Sequence, residues 1–190
     1  HNLFKMSILA LIDSMKPGAA IYATVPAKPL QLGFMQVMAD FDMLRQVMVW
    51  NKSSMVLGHS DYHYKHEPIL YGWKPGASHY FTSDRTKTTV FDFEKPQRNA
   101  EHPTMKPVPL FAEFIQNSTV TGQNIEDPFG GSGTTMVASH QTGRIAYLME
   151  IDPKYCQVII DRMLRLDPSL EIKRNGEPYR NNPKNSVKTV

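Results

Sequence analysis

The pattern of apolar and polar positions predicts helices and strands along most of the chain. Residues 3–12 carry apolar side chains at helical spacing, whereas residues 19–25 (AAIYATV) form a continuous apolar run typical of a strand buried on both faces. Residues 43–50 and 69–71 predict the strands of an antiparallel hairpin, joined by a polar, aromatic-bearing loop over residues 51–65. The remaining predicted elements are helices over residues 32–41, 107–116, 136–141 and 154–166, and strands over residues 89–93, 124–127, 144–149 and 170–173. The strand–helix alternation after residue 101 is that of an α/β fold.

Composition narrows the class of protein without naming a function. In 190 residues, 41% hydrophobic and 21% charged residues are typical of one soluble globular domain with a sizeable core. No apolar run is long enough to span a membrane and no signal peptide is visible. Because the chain has one cysteine, the expected compartment is a reducing cytoplasm. The single cysteine, Cys156, excludes an intrachain disulfide and a cysteine-rich zinc site, and the seven histidines show no metal-ligand spacing. The net charge of +3 permits a nucleic-acid partner but does not demand one.

The most informative stretch is DPFGGSGTT, residues 127–135, which we call the glycine turn. It joins a predicted strand to a predicted helix, and α/β proteins hold adenosine-bearing ligands with such an acidic residue, glycine-rich turn and helix start. Glycines let the backbone approach a ligand, and Ser or Thr can cap the helix. The dinucleotide spacing G-x-G-x-x-G is not met because Met136 takes the last position, and no Lys follows Gly133 as a nucleotide-triphosphate loop requires. The structural alternative is an ordinary strand-to-helix loop.

A carboxylate, Glu150, ends the next predicted strand about twenty residues beyond the glycine turn. In that position a carboxylate can accept hydrogen bonds from both hydroxyls of a ribose. The structural alternative is a helix cap within Glu-x-Asp-Pro. A third segment, EHPTMKP at residues 101–107, offers a helix start with Thr104 and Lys106 beside it, which suits a carboxylate ligand. Taken by itself, the segment is better explained as a plain proline-rich helix start.

Together these segments resemble the DNA amino-methyltransferases, which methylate an exocyclic nitrogen of adenine or cytosine with S-adenosylmethionine. The matching stretches are HPTMKPVPL at 102–110, DPFGGSGTT at 127–135, GRIAYLMEIDPKYC at 143–156, MKPGAAIYATVP at 15–26 and VWNKSSMVLGHSDYHYKHEPILYGWK at 49–74. The resemblance covers nearly the whole chain. It implies a doubly wound, mostly parallel sheet of the Rossmann-like methyltransferase kind, with an antiparallel hairpin.

The resemblance also implies the cofactor and its contacts. The glycine turn and the carboxylate after it would bind the methionine and ribose parts of S-adenosylmethionine, and the segment before the turn would close over the methionine end. The residues so identified are Asp127, Phe129, Gly130, Gly131, Ser132, Gly133, Thr134, Thr135, Glu150 and Asp152, with His102, Thr104 and Lys106 from the earlier segment.

The order of the motifs is that of the permuted β group, with the catalytic-side strands before the cofactor-binding strands. It implies a single methyltransferase domain with a catalytic-side half (1–74), a short inserted, target-recognising loop (75–100), a cofactor-binding half (101–177) and a polar tail (178–190). The implied partner is double-stranded DNA, in a restriction-modification, phage or regulatory setting. The oligomeric state is not defined by the sequence, and a dimer is compatible with it.

The family's catalytic motif, Asp-Pro-Pro-Tyr or Ser-Pro-Pro-Tyr, does not occur in the sequence. By resemblance it binds the target amino group and stacks the flipped base. It would lie just before residue 1, on a strand beside strand 124–127, and a sheet without that strand would have two unpaired edges inside the domain. We therefore expect the chain to extend before His1, with a strand from another chain as the alternative, and we expect the 190-residue piece to be inactive alone.

Three aromatic side chains, Tyr62, Tyr64 and His66, occur where the family shapes its target-base pocket, and they could border a flipped base. The structural alternative is a surface loop with packed aromatic residues. We expect adenine N6 as the methyl acceptor, with cytosine N4 as the alternative. A different class of function, a non-catalytic module that binds cofactor or DNA, is the other alternative, and the sequence upstream of His1 would distinguish the two.

Overall fold

The computed structural model describes residues 2–58, 61–94 and 105–179. These residues form two compact units. The first unit contains the described residues up to 94 together with 116–119, and the second contains 105–115 and 120–179. The predicted boundaries between the two halves, the inserted loop and the tail stay predictions.

The first unit is a four-stranded sheet with two helices. Its elements are α1 (Asn2–Ser14), β1 (Ala20–Thr24), α2 (Gln31–Asp40), β2 (Leu44–Val56), β3 (Tyr64–Trp73) and β4 (Val90–Asp92). The strands follow the order β1-β3-β2-β4, with β3 antiparallel to both neighbours and β4 parallel to β2. The predicted hairpin is thus present as β2–β3. Its strands are longer than predicted, because β2 continues to Val56 and β3 begins at Tyr64, where the sequence indicated a loop.

The core of the first unit joins the sheet to both helices. Val25, Met38, Met43 and Leu70 are almost fully buried together, and side chains of α1 and α2 pack against them. β1 is half-buried along its length instead of buried on both faces as predicted, and in the described part of the chain β3 is its one strand neighbour.

The second unit is built around a parallel strand pair. Its elements are α3 (Val108–Ser118, whose last residues belong to the first unit), β5 (Asn124–Asp127), α4 (Thr134–Gln141), β6 (Ile145–Leu148), α5 (Pro153–Leu166), β7 (Lys173–Arg174) and β8 (Glu177–Pro178). β5 and β6 pair in parallel, from Asn124 opposite Ile145 to Asp127 opposite Leu148, and α4 is the crossover between them. Both strands therefore end at one edge, which brings the residues that follow them together.

Two observations bear on the remaining expectations for the fold. Among the described residues β5, like β1, has a single strand neighbour, and the further strand expected before His1 stays a prediction. In the same residues no helix is long and apolar enough to cross a membrane, and no group of three or more His, Cys, Asp or Glu side chains could hold a metal ion.

Candidate cofactor-binding site

The glycine turn leaves β5 at Asp127, whose carboxylate ties the two ends of the turn together. Its Oδ1 accepts a hydrogen bond from the Phe129 amide at 2.9 Å, and its Oδ2 accepts one from the Thr135 hydroxyl at 2.5 Å. Thr135 is buried, so the second bond is shielded from water. The predicted ligand residue Asp127 is therefore first of all the residue that closes the turn.

The glycines of the turn are required by neighbouring protein atoms. A Cβ on Gly130 would lie 3.2 Å from the Leu148 side chain, and one on Gly133 would lie 2.9 Å from Ile159 Cγ1. Gly131 and Gly133 have φ angles of 52° and 77°, which L-residues with a Cβ adopt at a cost. The sequence suggested that these glycines let a ligand approach. In the fold, the missing Cβ of Gly130 lets β6 pack against the turn, and that of Gly133 lets α5 do so.

Glu150 follows β6 and lies against the turn. Its Oε2 accepts a hydrogen bond from the Gly131 amide at 2.7 Å, and its Oε1 accepts one from the Asp152 amide at 2.9 Å. A carboxylate offers about four lone-pair positions. Glu150 uses one acceptor position of Oε2 for the turn and one of Oε1 for the Asp152 amide. It can therefore still accept two further bonds, for example from a pair of vicinal hydroxyls.

Asp152 serves as the N-cap of α5. Its Oδ1 accepts a hydrogen bond from the Lys154 amide at 2.9 Å, and Pro153 occupies the first helical turn. The helix-cap alternative for this Glu-x-Asp-Pro segment therefore holds for Asp152. Glu150 faces the turn instead, and its ribose contact stays a prediction.

Three apolar side chains near the end of β6 and in the turn are open to solvent. Ile151 is 98% exposed, Met149 71% and Phe129 48%. Ile151 stands between the turn-facing carboxylate and the helix cap, where nothing in the described unit covers it. The sequence interpretation missed Ile151; an apolar residue directly after a strand-end carboxylate was the available signal.

The hydroxyl residues of the turn are turned inward. Ser132, Thr134 and Thr135 are all buried, and the Thr134 hydroxyl donates to the Lys106 carbonyl at 3.3 Å. The segment before α3 thus contacts the turn through the backbone of Lys106, and its predicted contact with the cofactor stays a prediction. His102 and Thr104 lie outside the described residues.

The predicted base-pocket residues belong to the hairpin of the first unit. Tyr64 and His66 are two residues apart on β3 and their rings make an edge contact at 6.5 Å between centroids. Tyr62 is 86% exposed in the loop before β3. The structure thus brings Tyr64 and His66 together, whereas the Tyr62 side chain is largely exposed among the described residues.

A family comparison decides the class of protein. A model of the N6/N4 DNA methylases matches residues 2–161. The chain belongs to the DNA methylase family. The resemblance inferred from the motifs is confirmed by this match.

Individual relatives of this DNA methylase agree with that placement. Type II methyltransferase M2.DpnII of Streptococcus pneumoniae is 26% identical over 180 residues, covering 86% of this chain and 67% of the relative. Type II methyltransferase M.HinfI of Haemophilus influenzae is 27% identical over 179 residues, covering 79% of this chain. The chain spans only 49% of that relative's length.

Solved structures show that the fold is that of DNA methyltransferases. The M1.HpyAVI–SAM complex superimposes with a TM-score of 0.69 at 20% identity, covering 83% of this chain and 82% of the other. The PvuII DNA methyltransferase (cytosine-N4-specific) superimposes with a TM-score of 0.73 at 16% identity, covering 89% and 71%. The predicted α/β, Rossmann-like methyltransferase fold is confirmed.

Proposed function

We propose that this DNA methylase transfers a methyl group from S-adenosylmethionine to an exocyclic amine of double-stranded DNA. The observation that carries the proposal is the 2.7 Å hydrogen bond between Glu150 and the Gly131 amide, which joins the ribose-type carboxylate to the glycine turn. Membership of the family and the solved complex of M1.HpyAVI with SAM support the choice of cofactor.

The residues present fit S-adenosylmethionine. Glu150 retains acceptor positions for the ribose hydroxyls, and Ile151 offers an uncovered apolar surface for a purine ring. Gly131 and its neighbours in the turn, with Lys106 from the preceding segment, would hold the methionine end, as would His102 and Thr104. The bound cofactor supplies an electrophilic methyl group on a sulfonium sulfur.

The protein's part in the reaction is to orient and hold. A methyl transfer breaks a carbon–sulfur bond, forms a carbon–nitrogen bond and releases one proton from the amine, so proximity and alignment contribute more than a strong base. Asp127 and Glu150 keep the turn in one conformation before the ligand arrives, which lowers the ordering cost of binding. Tyr62, Tyr64 and His66 are proposed to border the flipped base.

We propose adenine N6 as the acceptor, in a cytoplasmic restriction-modification setting suggested by the type II methyltransferase relatives. Cytosine N4 is the competing acceptor, because the PvuII enzyme of the same fold is cytosine-N4-specific. Mass spectrometry of nucleosides from DNA incubated with the full-length protein and labelled cofactor separates the two. We expect N6-methyladenine. Detection of N4-methylcytosine instead would show that cytosine N4 is the acceptor. Cofactor binding without any methyl transfer would favour the non-catalytic module.

Calorimetric binding of S-adenosylmethionine tests the site itself. Glu150→Gln keeps the shape and loses the charge, so we expect affinity to fall about tenfold or more, since bonds to a charged acceptor are roughly twice as strong as neutral ones. The control is Glu126→Gln, an exposed carboxylate on the adjacent strand β5, which should bind like the parent. Equal affinities for the parent and the Glu150 variant would refute the assignment.

A further inference from the structure

The neighbouring helix α5 contacts the glycine turn with one face. Ile159 and Arg162 are three residues apart and therefore lie on the same side of the helix. Ile159 packs where Gly133 has no Cβ. The Arg162 Nη1 donates to the Ser132 carbonyl oxygen at 3.0 Å and lies 3.5 Å from the Ser132 hydroxyl and 3.4 Å from the Thr134 hydroxyl.

The bond to the Ser132 carbonyl fixes the most deformable part of the turn. The Ser132–Gly133 peptide stands beside residues with φ angles of 52° and 77°, and glycines adopt other φ values at little cost, so this peptide could rotate easily in isolation. Arg162 holds its carbonyl oxygen on the α5 side, while the Gly133 amide on the other side of the peptide donates to the Gly130 carbonyl at 2.8 Å. A rotated peptide would lose both hydrogen bonds.

We propose that Arg162 is a positioning residue for the cofactor: it keeps the glycine turn in its binding conformation without touching the ligand. This inference rests on the proposed function. Arg162 lies on α5, the helix that Asp152 caps. The same helix therefore starts beside Glu150 and contacts the turn at Ser132. The Arg162 end of this arrangement was not apparent in the sequence, where Arg162 is one of several basic residues on the predicted helix.

The test uses Arg162→Met, which keeps most of the apolar stem and removes every donor, and Arg162→Lys, which restores one charged donor. Arg165→Met is the matched control, because Arg165 lies on the same helix and is exposed. For Arg162→Met we expect S-adenosylmethionine to bind about tenfold more weakly. In the full-length protein, KM for the cofactor should rise with kcat nearly unchanged, because bound cofactor restores the turn. Arg162→Lys should recover part of the affinity, and Arg165→Met should match the parent.

A second readout does not depend on the cofactor. Amide hydrogen exchange of the peptide covering residues 128–136 should be faster in the ligand-free Arg162→Met protein than in the parent and in Arg165→Met. Unchanged exchange in that peptide, or equal loss of affinity in Arg162→Met and Arg165→Met, would overturn the positioning role. A parent protein that binds no S-adenosylmethionine would overturn the proposed function instead, and the exchange result would still decide whether Arg162 holds the turn.

Discussion

The glycine turn and the tip of the β2–β3 hairpin carry the two sets of predicted site residues, and they are held in different ways. The turn is held by hydrogen bonds with Asp127 within it and with Glu150 and Arg162 outside it. Its serine and threonine side chains are buried. At the hairpin tip, Leu57 is 76% and Tyr62 86% exposed. The glycine turn is thus held by contacts within its own unit, whereas these two side chains at the tip are largely exposed in the described residues, and the role of Tyr62 in a base pocket stays a proposal.

The base of the same hairpin should show the largest effect of any substitution considered. A Cβ on Gly72 would lie 1.5 Å from the Met43 carbonyl oxygen, a backbone atom that cannot move aside alone. We expect Gly72→Ala to lower the free energy of unfolding by more than about 4 kcal/mol. Gly58→Ala, near the tip, meets only ordinary contacts and should change it by less than about 1 kcal/mol. Urea denaturation measures both, and similar values would contradict the contrast between base and tip.

Within the turn, Gly133→Ala should cost about 2–3 kcal/mol of unfolding free energy, from a left-handed φ and from overlap with Ile159. Gly122→Ala is the control, since its φ is also positive at 83° and open space surrounds it. It should cost only about 1 kcal/mol. Thermal unfolding of both variants checks the difference, and equal losses would mean that the packing of α5 on the turn contributes nothing.

Asp127→Asn should lower the free energy of unfolding by about 1.5–3 kcal/mol, because a neutral amide replaces a carboxylate that accepts two hydrogen bonds within the turn. Cofactor affinity should fall with it. A double-mutant cycle with Thr135→Val isolates the 2.5 Å bond, and we expect a coupling energy of about 1 kcal/mol or more. Strictly additive losses would show that the two side chains act independently.

The smallest effect on stability is expected at the tip. Tyr62→Ala should change the unfolding free energy by less than about 0.5 kcal/mol, because the side chain is almost fully exposed. Methyl transfer to DNA by the full-length protein should nevertheless fall severalfold if Tyr62 borders the flipped base. Tyr80→Ala, a half-exposed tyrosine of the same unit, is the control. Parent-like activity in the Tyr62 variant would remove this residue from the proposed base pocket.

Local sequence determined β5, α4, β6 and α5 closely, whereas the strand predicted at residues 170–173 shares only Lys173 with β7. The structure has β5 at the predicted residues and begins α5 at the predicted cap, because strand runs, Pro153 and Asp152 act through near neighbours in the chain. The hairpin was predicted too short, because its strands extend by cross-strand pairing through a polar stretch that has no strand pattern of its own.

The sequence by itself determined the family, the glycine turn and the carboxylate Glu150, since motif and spacing are properties of the chain. Only the tertiary structure decided how these parts hold one another. Three contacts join residues 19 to 30 positions apart: the Glu150–Gly131 bond, the packing of Ile159 on Gly133 and the bond from Arg162 to the Ser132 carbonyl. No local pattern records such contacts, because they depend on where α5 packs after the strands have paired.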